Sequence, residues 1–229
     1  MSSASIPAIP VSSAPTQYSM AFFDAQNLYR HAWQAFKESD EDPYHHPGFD
    51  PKKLHHKVAE ALGCKPNLTR FYTGVPNIED QEMWAGYWAN RLLALNRSGV
   101  KTFSRSLRYR TETFAIEDGT EYSFEVAQEK GIDIRIALDL VASARRKEFD
   151  VAIIFSQDQD LSEAVVELKD IAKTQGRYIK IVSAYPLSVN ASTKRGINGA
   201  DWFHIDKAFY DACLDPRDYR PAKFRPRKA

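Results

Sequence analysis

Cysteine is scarce in this chain, whose 229 residues include only Cys64 and Cys213. The two are far apart and form no CxxC or Cys/His pattern, so the sequence predicts two reduced, buried thiols and no disulfide framework. The pairs His45-His46 and His55-His56 do not indicate a zinc site, because adjacent side chains point apart on any regular element.

Long apolar runs and an excess of one charge are also missing. Without a run of about 18 apolar residues no transmembrane helix is expected, and without a basic region before an apolar core no secretory signal is expected. We therefore expect a cytoplasmic protein. The formal net charge of +1 means that a nucleic-acid partner must be bound by a local patch. The absence of a glycine-rich phosphate loop and of a nucleophile elbow argues against an NTPase and an α/β-hydrolase.

The chain divides into three segments. Residues 1–17 are rich in Ser, Ala and Pro without periodicity, which predicts a flexible lead-in. Residues 18–214 are expected to form one domain. Residues 215–229 carry six Lys/Arg against two Asp, together with three prolines, and are expected to be an irregular basic tail.

Apolar strands alternate with amphipathic helices in the domain. Strands are predicted near 19–24, 68–72, 150–155, 178–183 and 198–205, and helices near 27–36, 53–62, 79–97, 133–146, 161–174 and 207–213. Residues 39–50 are a predicted loop. This alternation predicts an α/β fold with three layers, in which helices cover both faces of a mainly parallel sheet.

A small β-hairpin insertion is expected between the third helix and the fourth. Residues 100–110 alternate in polarity, and with residues 114–124 they predict a strand pair with a hairpin-like turn at 117–120.

Aspartates cluster at the ends of the predicted strands. Asp24 ends the first strand, and Asp158 and Asp160 follow the strand at 150–155. Each alone is typical of a turn or a helix cap. Carboxyl ends of parallel strands share one edge, however, and several carboxylates there need a divalent cation such as Mg²⁺ to offset their repulsion.

Two further aspartates, Asp133 and Asp139, lie six residues apart. On a helix this spacing separates them by about 120°, so both cannot face one cleft. Asp133, just after Gly131, is the preferred ligand at the helix N-terminus, and Asp139 is either a further ligand or a structural residue.

Three motifs resemble those of the NYN domain, and together they cover about residues 19–205. They are Asp24-Ala25-Gln26-Asn27-Leu28, Lys130-Gly131-Ile132-Asp133 with Asp139, and Ser156-Gln157-Asp158-Gln159-Asp160-Leu161. Tyr109-Arg110 ahead of Glu129-Lys130-Gly131 is similar to the LabA-like branch. Gln157 and Leu161 depart from the usual glycine and phenylalanine, and Gln157 could narrow the pocket or contact substrate.

The resemblance implies a PIN-like nuclease that hydrolyses RNA phosphodiesters with Mg²⁺ or Mn²⁺. It places Asp24, Asp133, Asp158 and Asp160 in the metal pocket and Asn27 at its rim, with Asp139 as a further candidate. The alternative is a non-catalytic RNA-binding or regulatory module with a degenerate pocket. Whether two chains form a homodimer stays open.

Basic and aromatic side chains offer contacts to RNA. The candidates for phosphate contacts are Arg105, Arg108, Arg110, Lys194 and Arg195, although a solvated surface explains them equally well. Trp84, Tyr87 and Trp88 recur at helical spacing, which favours packing over base stacking.

Overall fold

The computed structural model describes residues 15–37, 48–116 and 121–225. In these residues the strands are Tyr18–Asp24 (β1), Lys65–Val75 (β2), Lys101–Ser106 (β3), Arg108–Ala115 (β4), Glu121–Gln128 (β5), Val151–Phe155 (β6), Lys180–Pro186 (β7) and Asp201–Ile205 (β8). The α-helices are Ala25–Phe36 (α1), Pro51–Ala61 (α2), Glu82–Arg97 (α3), Ile132–Arg145 (α4), Ser162–Thr174 (α5) and Lys207–Asp211 (α6). Short 3₁₀ turns lie at Gln159–Leu161 and Ala222–Phe224.

Six strands form one parallel sheet in the order β3-β2-β1-β6-β7-β8. From β1 the chain builds outward to β2 and β3, and from β6 it builds outward in the opposite direction to β7 and β8. The connections therefore diverge at the boundary between β1 and β6, which opens a crevice at the carboxyl ends of these two strands.

Two apolar cores lie on the two faces of this sheet. Along β1, Met20 and Phe22 enter one core while Ala21 and Phe23 enter the other, as strand alternation requires. Helices α1, α2, α3 and α6 contribute to the core around Phe23, and α4 and α5 contribute to the core around Phe22. The predicted three-layer α/β/α architecture is confirmed.

The predicted β-hairpin insertion after the third helix is confirmed, but its first strand begins later than predicted. Residues 101–106 form β3 and residues 108–115 form β4, and Leu107 between them donates its N–H to Val75 O (2.8 Å) at the end of β2. β3 lies parallel to β2 at the sheet edge, whereas β4 pairs antiparallel with β5 from Arg108–Gln128 to Ala115–Glu121. We call this two-stranded unit the β4–β5 arm. The predicted turn at 117–120 lies outside the described residues.

The C-terminal segment packs against the domain as far as it is described. Tyr219 is buried edge-on against Tyr87, with ring centroids 5.8 Å apart, and its carbonyl accepts a hydrogen bond from Asn90 Nδ2 (2.9 Å). Residues 1–14 of the predicted lead-in, 38–47 of the predicted loop and the last four residues lie outside the described part.

Membrane-spanning helices are not found among the described residues, since none of their helices combines the necessary length and apolar character.

Candidate metal centre

Three carboxylates meet in the crevice between β1 and β6. Asp24 ends β1, Asp158 follows β6, and Asp133 lies in the first turn of α4. Each offers a carboxylate oxygen, and these oxygens all lie within 4.8 Å of one another. Asp24 is buried and the other two are half-buried. The structure thus brings together three of the aspartates predicted to be ligands.

Each of these aspartates also lies at the start of a helical segment. Asp24 Oδ1 accepts the Asn27 N–H (3.2 Å) at the start of α1, and Asp158 Oδ1 accepts the Asp160 N–H (2.9 Å) at the 3₁₀ turn. Asp133 follows Gly131, whose φ of +77° suits glycine. The N-termini of α1 and α4 favour negative charge, which partly stabilises Asp24 and Asp133 where they lie.

The electrostatics of the pocket show an excess of negative charge. Burial, together with the nearby carboxylates of Asp133 and Glu129, raises the pKa of Asp24 to about 8, although the Ser156 hydroxyl donates a hydrogen bond to Asp24 Oδ2 (3.1 Å) and acts in the opposite direction. Burial and the charges of Asp158 and Asp160 also raise the pKa of Asp133. A hard divalent cation with oxygen ligands would neutralise this excess, and the all-oxygen donor set fits Mg²⁺ or Mn²⁺.

Glu129 is a pocket residue that the sequence analysis missed. It lines a cavity of about 420 Å³ together with Asp24, Asp133 and Asp158. Burial and the Asp133 charge raise the pKa of Glu129 to about 7, although a hydrogen bond from the Gly74 backbone lowers it in part. Its Oε1 is buried and has no hydrogen-bond partner among the described residues. Its place at the end of β5, directly before the Lys130-Gly131 motif, is the signal that could have identified it.

Arg30 and His31 also line the cavity. They follow Asn27 by three and four residues, so one face of α1 carries all three toward the carboxylates, and this helical spacing could have revealed them. Burial and the neighbouring Arg30 lower the pKa of His31, while Asp158 acts in the opposite direction. The pocket therefore carries nitrogen-bearing side chains as well as carboxylates in its lining.

Asp139 lies apart from the carboxylate cluster. Its Oδ2 accepts hydrogen bonds from Arg70 Nη1 (2.6 Å) and the Tyr72 hydroxyl (2.8 Å), and its Oδ1 accepts one from Arg135 Nη2 (2.8 Å). Because the helix turns Asp139 away from Asp133, the Asp139 carboxylate forms a buried ion pair with Arg70 instead. Of the two sequence-based alternatives for Asp139, the structure supports the structural one.

Asp160 and Asn27 lie at the edge of the cluster. Asp160 is exposed and is not among the three converging aspartates, although its charge acts on Asp133. Asn27 lines the cavity, and its Oδ1 accepts the Gln157 N–H (3.1 Å), which joins α1 to the segment after β6.

Gln157, where the family pattern has glycine, anchors a neighbouring loop. Its side-chain amide donates to Thr193 O (3.2 Å) and Arg195 O (2.9 Å), and the side chain is buried rather than placed among the cavity-lining residues. The adjacent Gln159 donates to Gly196 O (3.0 Å). Gln157 therefore leaves the described cavity open. It also connects the loop that carries Lys194 and Arg195 to the segment that carries Asp158.

The five predicted phosphate contacts occupy three places, and none belongs to the lining of the described cavity. Arg105 lies in β3 with its guanidinium so close to Gly131 that an added Cβ there would meet Nη1 at 2.6 Å. Arg108 and Arg110 are exposed on β4, and Lys194 and Arg195 are exposed in the anchored loop.

The aromatic residues of α3 pack inside the protein. Tyr87 and Trp88 are buried, and Trp84 packs against the same core.

Comparison with known proteins agrees with this geometry. The family model described as NYN domain matches residues 19–204. A crystal structure of a protein of unknown function, VPA0982 from Vibrio parahaemolyticus RIMD 2210633, is similar with a TM-score of 0.51 and 17% identity, covering 87% of this chain and 99% of that one. At this identity the likeness shows the fold alone. No curated protein matches the chain. The fold, the converging aspartates and the match over residues 19–204 show that this chain belongs to the NYN domain family, within the PIN-like nuclease superfamily.

Proposed function

We propose that this protein is a ribonuclease that depends on Mg²⁺ or Mn²⁺ and hydrolyses RNA phosphodiester bonds at the crevice between β1 and β6. The observation that carries this proposal is the set of three carboxylates, Asp24, Asp133 and Asp158, whose oxygens converge within 4.8 Å. Without a cation, the mutual repulsion of three ionised carboxylates destabilises the folded protein. In a nuclease fold such a set is expected at the catalytic site.

The three aspartates would hold the metal, which on binding would act as a Lewis acid and lower the pKa of a water molecule. Asn27 Oδ1 accepts a hydrogen bond from the segment that carries Asp158, and this bond would help to hold the carboxylates at their spacing. Arg30 and His31, which line the same cavity, would contact the anionic phosphate oxygens. Glu129, whose Oε1 lacks a partner, is placed to accept a proton or a hydrogen bond from water.

RNA is the proposed substrate, and the exposed basic groups would position its backbone. The guanidinium of Arg105 lies next to Gly131, and the loop that carries Lys194 and Arg195 is bonded to Gln157. At these places the three side chains would bind phosphates without recognising the base sequence. Gln157, the departure from the family pattern that could have narrowed the pocket, bonds the neighbouring loop instead of filling the described cavity. Assignment to the LabA-like branch and a cytoplasmic location remain predictions, and formation of a homodimer stays open.

A cleavage assay tests the proposal. The purified protein is incubated with labelled single-stranded and structured RNA in Mg²⁺, in Mn²⁺ and in chelator, beside Asp133→Asn and Asp158→Asn. We expect cleavage that chelator abolishes and that each variant reduces by at least about 100-fold, the scale of losing one preorganised electrostatic contact. Asp170→Asn, an exposed carboxylate on α5, is the matched control and should cleave normally. Equal cleavage by Asp133→Asn, or none by the wild type in any metal, contradicts the proposal.

A further inference from the structure

The two faces of the β4–β5 arm differ in chemistry. Residues paired across the arm share a face, and successive residues alternate between faces. One face, which we call the aromatic face, carries Arg108, Arg110, Glu112, Phe114, Tyr122, Phe124, Val126 and Gln128. The opposite face carries Tyr109, Thr111, Thr113, Ala115, Glu121, Ser123, Glu125 and Ala127.

Three large rings on the aromatic face are open to solvent. Phe114, Tyr122 and Phe124 are 50%, 51% and 47% exposed. Phe114 stacks on Tyr122 with centroids 5.7 Å apart and planes at 22°, and it meets Phe124 edge-on at 5.9 Å. Within the described part of the chain this sheet has no third strand. The rings therefore form a preordered, water-exposed cluster with π-faces available to a partner.

The arm leads directly into the candidate metal centre. Ala127 and Gln128 at the end of β5 line the cavity, as does Glu129 after them. At about 3.4 Å per residue, Phe124 and Tyr122 lie roughly 13–20 Å along the strand from Gln128. A single strand bound in the cavity would span this distance with a few nucleotides.

Charge selects among the partners that could cover the rings. Arg108 and Arg110 are exposed on the aromatic face between the rings and the cavity and outnumber its one carboxylate, the half-buried Glu112, whereas the opposite face carries the exposed carboxylates of Glu121 and Glu125. Phosphates would thus be drawn to the face that also offers rings to bases. The combination of arginines and stacking rings is what single-stranded nucleic acid requires.

A second copy of the chain fits the aromatic face less well. Three half-exposed rings offer roughly 300 Å² of apolar surface, which is well below the ~800 Å² per partner of a stable interface. A like-charged pair of arginines would also meet its own copy across a symmetric contact.

We propose that the aromatic face of the β4–β5 arm is a stacking platform that binds the unpaired bases of single-stranded RNA and leads the strand to the metal centre. The inference rests on the proposed function for the direction of the strand, but binding by the rings does not require catalysis. Duplex RNA keeps its bases stacked internally, so the arm favours single strands.

Binding is measured by fluorescence anisotropy with a labelled single-stranded oligouridine, in chelator so that cleavage cannot contribute. We expect Tyr122→Ala and Phe124→Ala each to weaken binding about tenfold, within the range found for removing one base-stacking ring. Tyr122→Phe and Phe124→Tyr keep a ring and should bind like wild type. Tyr178→Ala, an exposed tyrosine at the amino end of β7, is the matched control and should also bind normally. Binding to a duplex of the same length should not respond to any of these changes.

The outcomes separate this inference from the proposed function. Unchanged oligouridine binding by both alanine variants, or no binding by the wild type in chelator, overturns the platform. Light scattering that shows a dimer dissociating in these variants assigns the rings to self-association and also overturns it. Ring-dependent binding without cleavage in any metal supports the platform while contradicting the proposed nuclease activity.

Discussion

At the scale of single residues, Asp24 and Asp158 each serve two purposes. Their side chains accept backbone N–H groups at helical starts, and the same side chains contribute to the carboxylate cluster. The sequence presented cap and metal ligand as alternatives. The structure shows that they are compatible, because a carboxylate has two oxygens and several lone pairs.

Metal binding should depend on pH. The pKa of Asp24 is raised from 3.8 to about 8, so the folded protein keeps a proton that the unfolded chain has released. From about pH 4 to 8 this contribution to the free energy of unfolding therefore declines as pH rises. Cation binding displaces the proton, so the gain in Tm from Mn²⁺ should grow over the same interval. At 100 times Kd the gain should reach about 2.7 kcal/mol, or ~5–10 °C.

Asp133→Asn is the control for this measurement by differential scanning calorimetry. The metal-free variant should be more stable than wild type at pH 8, because one charge that opposes ionisation of Asp24 is gone. Its gain in Tm from Mn²⁺ should be small at every pH. A Mn²⁺ effect that is independent of pH would contradict the assignment of the cluster as the binding site.

Asp139 should affect stability without affecting the metal. Asp139→Asn leaves Arg70, whose side chain is only 16% exposed, without its carboxylate partner and should lower the free energy of unfolding by about 3 kcal/mol. Glu148→Gln breaks the exposed pair with Arg146 and should cost less than about 1 kcal/mol. Denaturant titration measures both. If Asp139→Asn also lost the rise in Tm that Mn²⁺ produces, Asp139 would be a metal ligand after all.

At the scale of elements, the segment after β6 organises the loop that precedes β8. Gln157 and Gln159 bond backbone carbonyls of that loop, and Asn198 N–H donates to Gln159 Oε1 (3.2 Å). One short segment thus supplies Asp158 to the cluster and fixes the neighbouring basic loop.

Gln157→Ala should loosen this loop. The change removes two hydrogen bonds to Thr193 O and Arg195 O, at a cost of about 1–2 kcal/mol. Limited trypsin digestion should then cut after Lys194 and Arg195 several-fold faster, as detected by mass spectrometry. Gln175→Ala is a matched control, since Gln175 also bonds two carbonyls, those of Ala144 and Arg145. If both variants are cut at the wild-type rate at this loop, Gln157 does not anchor it.

At the scale of the whole molecule, the C-terminal segment completes the outer layer over α3. Tyr219 is buried beside Tyr87, its hydroxyl donates to Asp215 Oδ2 (2.7 Å), and Pro221 lies against Gly86. The composition of this segment predicted an irregular basic tail, and its regular structure is limited to one 3₁₀ turn within the described residues. What composition did not indicate is that the segment is docked.

Tyr219→Ala should destabilise the domain. Loss of a buried aromatic ring and its hydrogen bond should lower the free energy of unfolding by about 3 kcal/mol. Tyr178→Ala, which truncates an exposed ring, should change it by less than about 0.5 kcal/mol. Urea unfolding followed by circular dichroism measures the difference. An unchanged midpoint for Tyr219→Ala would mean that the segment adds nothing to the fold.

Much of the fold was accessible from sequence because its signals are local. The apolar run ending at Asp24 and the helix predicted near 53–62 depend on neighbours in the chain, and both elements were predicted close to their observed bounds. The division of residues 100–110 was not accessible, because it depends on residues 101–106 pairing with β2, which is about thirty residues away in the chain.

The sequence by itself determined the three-layer architecture and the motifs that carry Asp24, Asp133 and Asp158, since apolar periodicity and strand ends are properties of contiguous residues. Only the tertiary structure decided which side chains share the pocket. In the folded protein Glu129, Arg30 and His31 line the pocket, whereas Asp139 lies outside it and pairs with Arg70. The physical reason is that charges interact through space, so their partners are chosen by packing between elements far apart in the chain.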